Sequence, residues 1–253
     1  MGTSSMYEGP KDNRLLPEDY FKKEENSDSN KIDPEAWKKT KNAMSKFISA
    51  NRGNLKKVMN RYASANGGST RTAQNATSGI KGIATLGTIL TKAYNSSFDN
   101  VMKEYGIDYQ NKSMDMILSE FVNIISPEAN TKEECVGREA LIRTLSELYE
   151  IIEKTNEGIE YFNKLDETKF NFIINKYIEN YIFTKFLKDL EYRVEKYANN
   201  IERVMHKEND IKDFIRYSVN NATKNINFKD FDYKDLKTIE KIYKECYEIW
   251  EDE

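Results

Sequence analysis

Residues 166–182 read DETKFNFIINKYIENYI, and in this stretch Phe170, Ile173, Ile174, Tyr177, Ile178, Tyr181 and Ile182 recur three and four positions apart. That spacing is the repeat of one helical face, whereas a strand would alternate every second residue. Asp166 precedes the run as an N-cap, its carboxylate placed to accept from the first free backbone N–H groups.

The same repeat extends outward in both directions. Toward the C-terminus it covers Ile211 to Val219 and then Leu236 to Trp250. Toward the N-terminus, Thr131-Lys132-Glu133-Glu134 has the form of a capping box and opens a helix through Leu141, Leu145, Leu148 and Ile152. Met114, Ile117, Leu118, Phe121, Ile124 and Ile125 predict a shorter buried helix that stops at Ser126-Pro127. The stretch 70–94 is rich in small residues, with Ala73, Ala76, Gly79, Ile80, Ile83, Leu86, Gly87 and Leu90 on or near one face. An interior glycine costs a helix about 1 kcal/mol relative to alanine, so Gly79, Gly82 and Gly87 need an offset. Close approach of another backbone, helix or tail supplies one; a hinge or a phosphate contact is the alternative.

Before this segment, Asn66-Gly67-Gly68-Ser69 reads as a turn with Ser69 as the next N-cap. Leu55, Val58, Met59 and Tyr62 mark one helix, and Asn51-Arg52-Gly53-Asn54 separates it from another that carries Trp37, Met44, Phe47 and Ile48. Asp33 is the expected N-cap of that first helix, with Pro34 at its first position. No run shows convincing strand alternation. The prediction is all-α: a multi-helix bundle over 33–253 behind an extended, irregular N-terminal tail, 1–32. Trp37, Phe47, Tyr62, Leu86, Phe121, Leu145, Ile174 and Tyr177 are expected in the core, each contributing roughly 1.5–3 kcal/mol.

Composition agrees with this and narrows the function. The 253 residues include 12 Phe, 16 Tyr and 2 Trp, too many aromatics for a wholly disordered chain, while 4 Pro and 11 Gly disfavour a turn-rich β-sandwich. In the glycine-rich part the longest uncharged stretch, Gly82 to Thr91, is 10 residues, against about 20 for a bilayer span. No charged-then-apolar signal opens the chain, so a cytoplasmic protein is expected, with no membrane partner. Cys135 and Cys246 form neither a disulfide framework nor a zinc knuckle. A single histidine, His206, rules out a His-rich metal site and leaves little for a triad. No phosphate-binding glycine loop, dinucleotide fingerprint or nucleophile elbow is present. Neither metal nor cofactor is expected. The pattern points away from an enzyme, with carboxylate-dependent catalysis as a minor alternative.

Charge divides the chain. Residues 34–81 carry ten Lys or Arg against one acid, Glu35, inside a protein of net charge -3. The helical region is therefore basic over 34–94 and acidic over 95–253. Lys38, Lys39, Lys41, Lys56, Lys57, Arg61 and Arg71 are candidate anion-binding residues. A helix, a short turn and a second helix over 34–81 suit a nucleic-acid-binding module, although a plain αα-hairpin with solvated lysines gives the same pattern.

Several short motifs resemble the QatB family, a component of the bacterial Qat anti-phage defence system. They are Met1-Gly2-Thr3-Ser4-Ser5, Gly9-Pro10 and Leu15-Leu16-Pro17 in the tail. Trp37-x-x-x-Lys41-x-x-Met44-x-x-Phe47, Tyr62 and Gly67-Gly68-Ser69-x-x-x-Ala73 follow, and Glu134-x-x-x-Arg138-x-Ala140 is compatible. The similarity is sharp over about the first 90 residues and diffuse beyond them. The chain departs from the family in a short, proline-poor linker and in Met6-Tyr7-Glu8.

The resemblance implies an antiviral accessory protein rather than a standalone enzyme. Its partner would be the QueC-like enzyme of the same operon, with the operon's ATPase and TatD-like nuclease as further candidates. On this reading Gly2 is the modification site, conjugated to a deazaguanine through an amide after removal of Met1. Thr3, Ser4, Ser5, Gly9, Pro10, Leu15, Leu16 and Pro17 form the partner-binding tail. An α-amine with a reference pKa of about 7.7–8.0 is partly uncharged near neutral pH, whereas lysine at about 10.4 is not. Glycine lacks a Cβ and can follow a narrow channel.

Overall fold

The helix predicted by the 166–182 repeat lies at the centre of the molecule. The structure, a computed structural model, describes residues 35–49, 53–107, 112–127, 129–195 and 200–251. Among these residues the chain forms α1 (Ala36–Ser49), α2 (Leu55–Ala65), α3 (Ser69–Gln74), α4 (Thr77–Asn95), α5 (Phe98–Glu104) and α6 (Met114–Ile125). They continue as α7 (Lys132–Thr155), α8 (Glu160–Asn163), α9 (Glu167–Glu195), α10 (Ile201–Thr223), a 3-10 turn at Phe228–Asp230, and α11 (Leu236–Glu251). No strand occurs among the described residues.

Asp166 caps α9 as expected, its Oδ1 accepting from the Lys169 N–H at 2.7 Å. Phe170, Ile174, Ile178, Ile182, Phe183 and Phe186 bury more than one face of this helix. A helix apolar on several sides belongs in the middle of a bundle. Accordingly α9 packs against α7, α10, α4 and α1. The capping box at Thr131 is present: its Oγ1 accepts from the Glu134 N–H, and Glu134 Oε2 accepts from the Thr131 N–H at 3.0 Å.

The first two helices form a hairpin. Asn54 caps α2 through the Lys57 N–H at 3.0 Å, while Asp33 and Pro34 lie outside the described residues. Across the hairpin, Thr40 Oγ1 donates to the Arg61 carbonyl at 2.9 Å, and Arg61 Nη1 donates to the Lys39 carbonyl at 3.0 Å.

Four local expectations change in the structure. Residues 70–94 form two helices rather than one segment, because the chain breaks at Asn75-Ala76. Ser69 is not the N-cap of α3. Gly67 (φ 89°) and Gly68 (φ 91°) make a double left-handed turn that only glycine adopts cheaply, and Gly68 takes the cap position. The Ser69 N–H instead donates to Glu251 Oε1 at 2.8 Å, so the cap arrives from the other end of the chain. The glycines of α4 do permit a close approach, but of aromatic rings rather than of a backbone: a Cβ at Gly82 would overlap Tyr177, and one at Gly87 would overlap Tyr233. Finally, the helical-looking charged run Arg203–Lys207 and the Ile211–Val219 repeat belong to one helix, which starts at Ile201.

Of the expected core residues, Phe47, Tyr62, Leu86, Phe121, Leu145, Ile174 and Tyr177 are buried. Trp37 is only half-buried, because it sits in the first turn of α1 at the margin of the core.

Candidate functional site

Gly2, Thr3, Ser4, Ser5, Gly9, Pro10, Leu15, Leu16 and Pro17 lie outside the described residues. The start of α1, where residues 1–34 join the helical body, is described. Trp37 stands edge-on to Tyr62, with ring centroids 5.8 Å apart. Tyr62 in turn meets Phe186 of α9 at 5.0 Å and Trp250 of α11 at 5.9 Å. Its hydroxyl donates to Asp189 Oδ2 at 2.9 Å, and Lys132 of α7 pairs with Asp189 Oδ1 at 2.8 Å. Five helices thus converge beneath the first turn of α1. Aromatic pairs of this kind add about 0.5–1.5 kcal/mol beyond the area they bury.

Next to this junction lies a polar hub absent from the sequence expectations. Glu133, in the first turn of α7, accepts from the Tyr181 hydroxyl and pairs with Lys185 at 2.6 Å. Ser78 Oγ lies 2.7 Å from the Glu133 carbonyl oxygen and 3.1 Å from its carboxylate. Tyr62, Tyr177, Tyr243 and Tyr247 complete the surroundings. Burial raises the pKa of all five phenols, and the Glu133 charge adds to the rise. They therefore stay neutral: Tyr62 and Tyr181 donate to the Asp189 and Glu133 carboxylates, Tyr177 donates to the Ser78 carbonyl at 3.4 Å, and the Tyr243 and Tyr247 hydroxyls meet no hydrogen-bond partner among the described residues. The rings of Tyr177, Tyr181, Tyr243 and Tyr247 are closed to solvent. The hydrogen bonds tie α4, α7 and α9 together around one carboxylate, and α11 packs on them through Tyr243, whose ring centroid lies 5.3 Å from that of Tyr181. In the sequence Glu133 is only an interior position of the capping box, and a partner 52 residues away leaves no local signal.

The structure divides the basic block in two. At α3 and α4 backbone and hydroxyl donors of the segment, rather than its cations, meet the protein's own acids. Glu251 binds the Ser69 N–H, and its carbonyl oxygen accepts from Asn60 at 3.0 Å. Glu133 lies against Ser78 in the first turn of α4. The Glu134 carboxyl is held below its usual range by hydrogen bonds from Asn130 and Thr131, with Lys81 adding to the effect. Arg71 is exposed on α3.

The α1–α2 hairpin is different. Lys38 pairs with Glu35 at 3.4 Å, and Arg61 is used in the clamp on Lys39. Lys39 and Lys56 are exposed, as are Lys41, Lys46 and Lys57. The last three meet no carboxylate among the described residues. At the far end of α1, Arg203 of α10 donates to the Ser49 carbonyl at 3.2 Å.

His206 is exposed on α10, Cys135 is exposed on α7, and burial pushes the Cys246 thiol pKa up. These three residues lie on separate helices. Among the described residues no group of three or more His, Cys, Asp or Glu side chains could hold a metal ion, and no helix is long and apolar enough to cross a membrane.

A family model described as "Qat anti-phage system associated protein QatB" matches residues 67–250, which is 184 of the 253 residues. No curated protein and no solved structure matches the chain. The matched span runs from the Gly67-Gly68 turn through Trp250 and takes in nearly all of the bundle after the α1–α2 hairpin.

Proposed function

The chain belongs to the QatB family of Qat anti-phage system associated proteins, and from that premise we propose that it is a non-enzymatic component of the defence complex. In this reading it binds the QueC-like enzyme of its operon and presents its N-terminal Gly2 for conjugation to a deazaguanine. The observation that carries the reading is family membership, which places the chain in anti-phage defence. Two further features support it. The tail motifs from Met1 to Pro17 lie in the first 34 residues, ahead of a helical body that starts on a packed aromatic junction. Within that body, the polar hub is sealed by buried rings and the one histidine stands apart on the surface, as suits a carrier better than a catalyst.

The chemistry is consistent. A QueC-type enzyme activates a carboxyl group on a deazapurine at the expense of ATP, and an amine then displaces the activating group to form an amide. The α-amine of Gly2 supplies the nucleophile and loses a proton as the bond forms. Co-expression with the operon tests the binding step. The full chain should copurify with the QueC-like enzyme, and a chain lacking residues 1–32 should lose that enzyme while keeping its helical circular dichroism. Undiminished copurification of the truncated chain would remove the tail from the interface.

A further inference from the structure

We propose that the outward face of the α1–α2 hairpin is a sequence-independent binding surface for the phosphate backbone of duplex nucleic acid. Lys41, Lys46 and Lys57 are exposed there and face no carboxylate among the described residues. Lys38, paired with Glu35, adds a cation at the start of α1, and Arg203 of α10 adds one beside Ser49 at its end. From Lys38 to Lys46 the exposed lysines span about 12 Å along the α1 axis at 1.5 Å per residue, enough to face several phosphates of a duplex.

The acids are distributed as this role requires. Helices α5 to α10 each carry Asp or Glu in the first turn, where the helix dipole favours a negative charge. The first turns of α1 and α2 carry none, and α2 places Lys56 and Lys57 there against the dipole. At α3 and α4 the missing acids are supplied from α11 and α7, by Glu251 and Glu133. On α2 the Glu251 main-chain carbonyl meets Asn60, and Lys57 meets no carboxylate among the described residues. The rest of the protein is rich in carboxylates and screens its own helix ends, yet this face keeps its positive charge.

The character of the face selects the anion. The exposed large apolar side chains among the described residues are Tyr94, Met116, Ile142, Ile201, Met205, Tyr217 and Leu236, none of them on α1 or α2. Cores of protein interfaces are enriched in aromatics and methionine and depleted in lysine. Single-stranded nucleic acid is held by bases stacked on exposed aromatic rings. A lysine face interspersed with Asn42 and Ser49, and without exposed rings, fits phosphate oxygens alone.

The test is titration of the full-length protein with short random-sequence duplex DNA across a range of salt concentrations. The native chain should bind at low salt, with log affinity falling linearly against log salt by about 0.9 per phosphate neutralised. A Lys41→Glu/Lys46→Glu/Lys57→Glu variant with unchanged circular dichroism should bind at least tenfold more weakly and show a shallower slope. The same charge change on the acidic half, Lys224→Glu/Lys234→Glu/Lys237→Glu, should weaken binding much less. Absence of binding at low salt would overturn the proposal, as would equal weakening by both triple variants. A hairpin reversal that releases a copurifying operon protein, from a chain that does not bind duplex, would make the face a protein interface and also overturn it.

Discussion

Gly82 illustrates how one missing methyl group sets a helix position. Its residue type weakens α4 locally, but Tyr177 of α9 occupies the space that a side chain would need. Gly82→Ala gains about 1 kcal/mol of helix propensity and loses more by forcing the ring aside, since overpacking costs about 1–3 kcal/mol. A net destabilisation in urea denaturation is expected; a more stable variant would show that Tyr177 can move freely. Glu133 has a larger predicted effect. Its carboxylate holds Lys185 and Tyr181 at once, and the Glu133 and Lys185 side chains are 23% and 12% exposed. Removing one member of such a pair leaves the other uncompensated, at about 3–5 kcal/mol for full burial and less for this partly open one. Glu133→Leu should lower the urea midpoint clearly, and Lys185→Met in the same background should recover part of the loss. Additive losses would show that the two do not act as a pair.

At the scale of elements, α9 and α11 share a seam of phenols whose titration links pH to folding. Tyr177, Tyr181, Tyr243 and Tyr247 have folded pKa values raised by burial above the unfolded value near 10. Above that pH the native state binds more protons than the unfolded chain, so stability is complete below about 10 and falls as pH rises toward the folded values. Each phenol contributes a loss of about 1.4 kcal/mol per pH unit in that window. Tyrosinate absorbance should therefore develop together with loss of helical circular dichroism; ionisation of these phenols in a still-folded protein would contradict the burial. The helices themselves were legible in sequence where an apolar face repeats, as in α6, α7, α9 and α11. They were not legible where the cause lies elsewhere in the chain. The cap on α3 comes from Glu251, and the space at Gly82 is filled by Tyr177.

For the whole molecule, the sequence motifs and the family match overlap in part: the tail motifs, the α1 motif and Tyr62 precede residue 67, whereas Gly67-Gly68-Ser69-x-x-x-Ala73 and Glu134-x-x-x-Arg138-x-Ala140 fall inside the matched span. The tail and hairpin motifs are short and local, whereas the matched span, 67–250, runs over nine helices. The candidate site was legible in part. The cationic hairpin follows from ten basic residues against one acid in 34–81, but the contacts of Glu251 with Ser69 and of Glu133 with Ser78 depend on the folded chain. The polar hub left no sequence trace because its members are scattered from Ser78 to Tyr247. Gly2 joins this body through a tail of mixed charge, and its conjugation is the step on which the proposed function stands. It is tested most directly by intact-mass and peptide analysis of the full chain co-expressed with its operon. Loss of Met1 and a deazapurine-sized adduct on the Gly2 α-amine are expected, with the adduct absent when the QueC-like enzyme is omitted. An unmodified Gly2 recovered from a defence-active complex would contradict it.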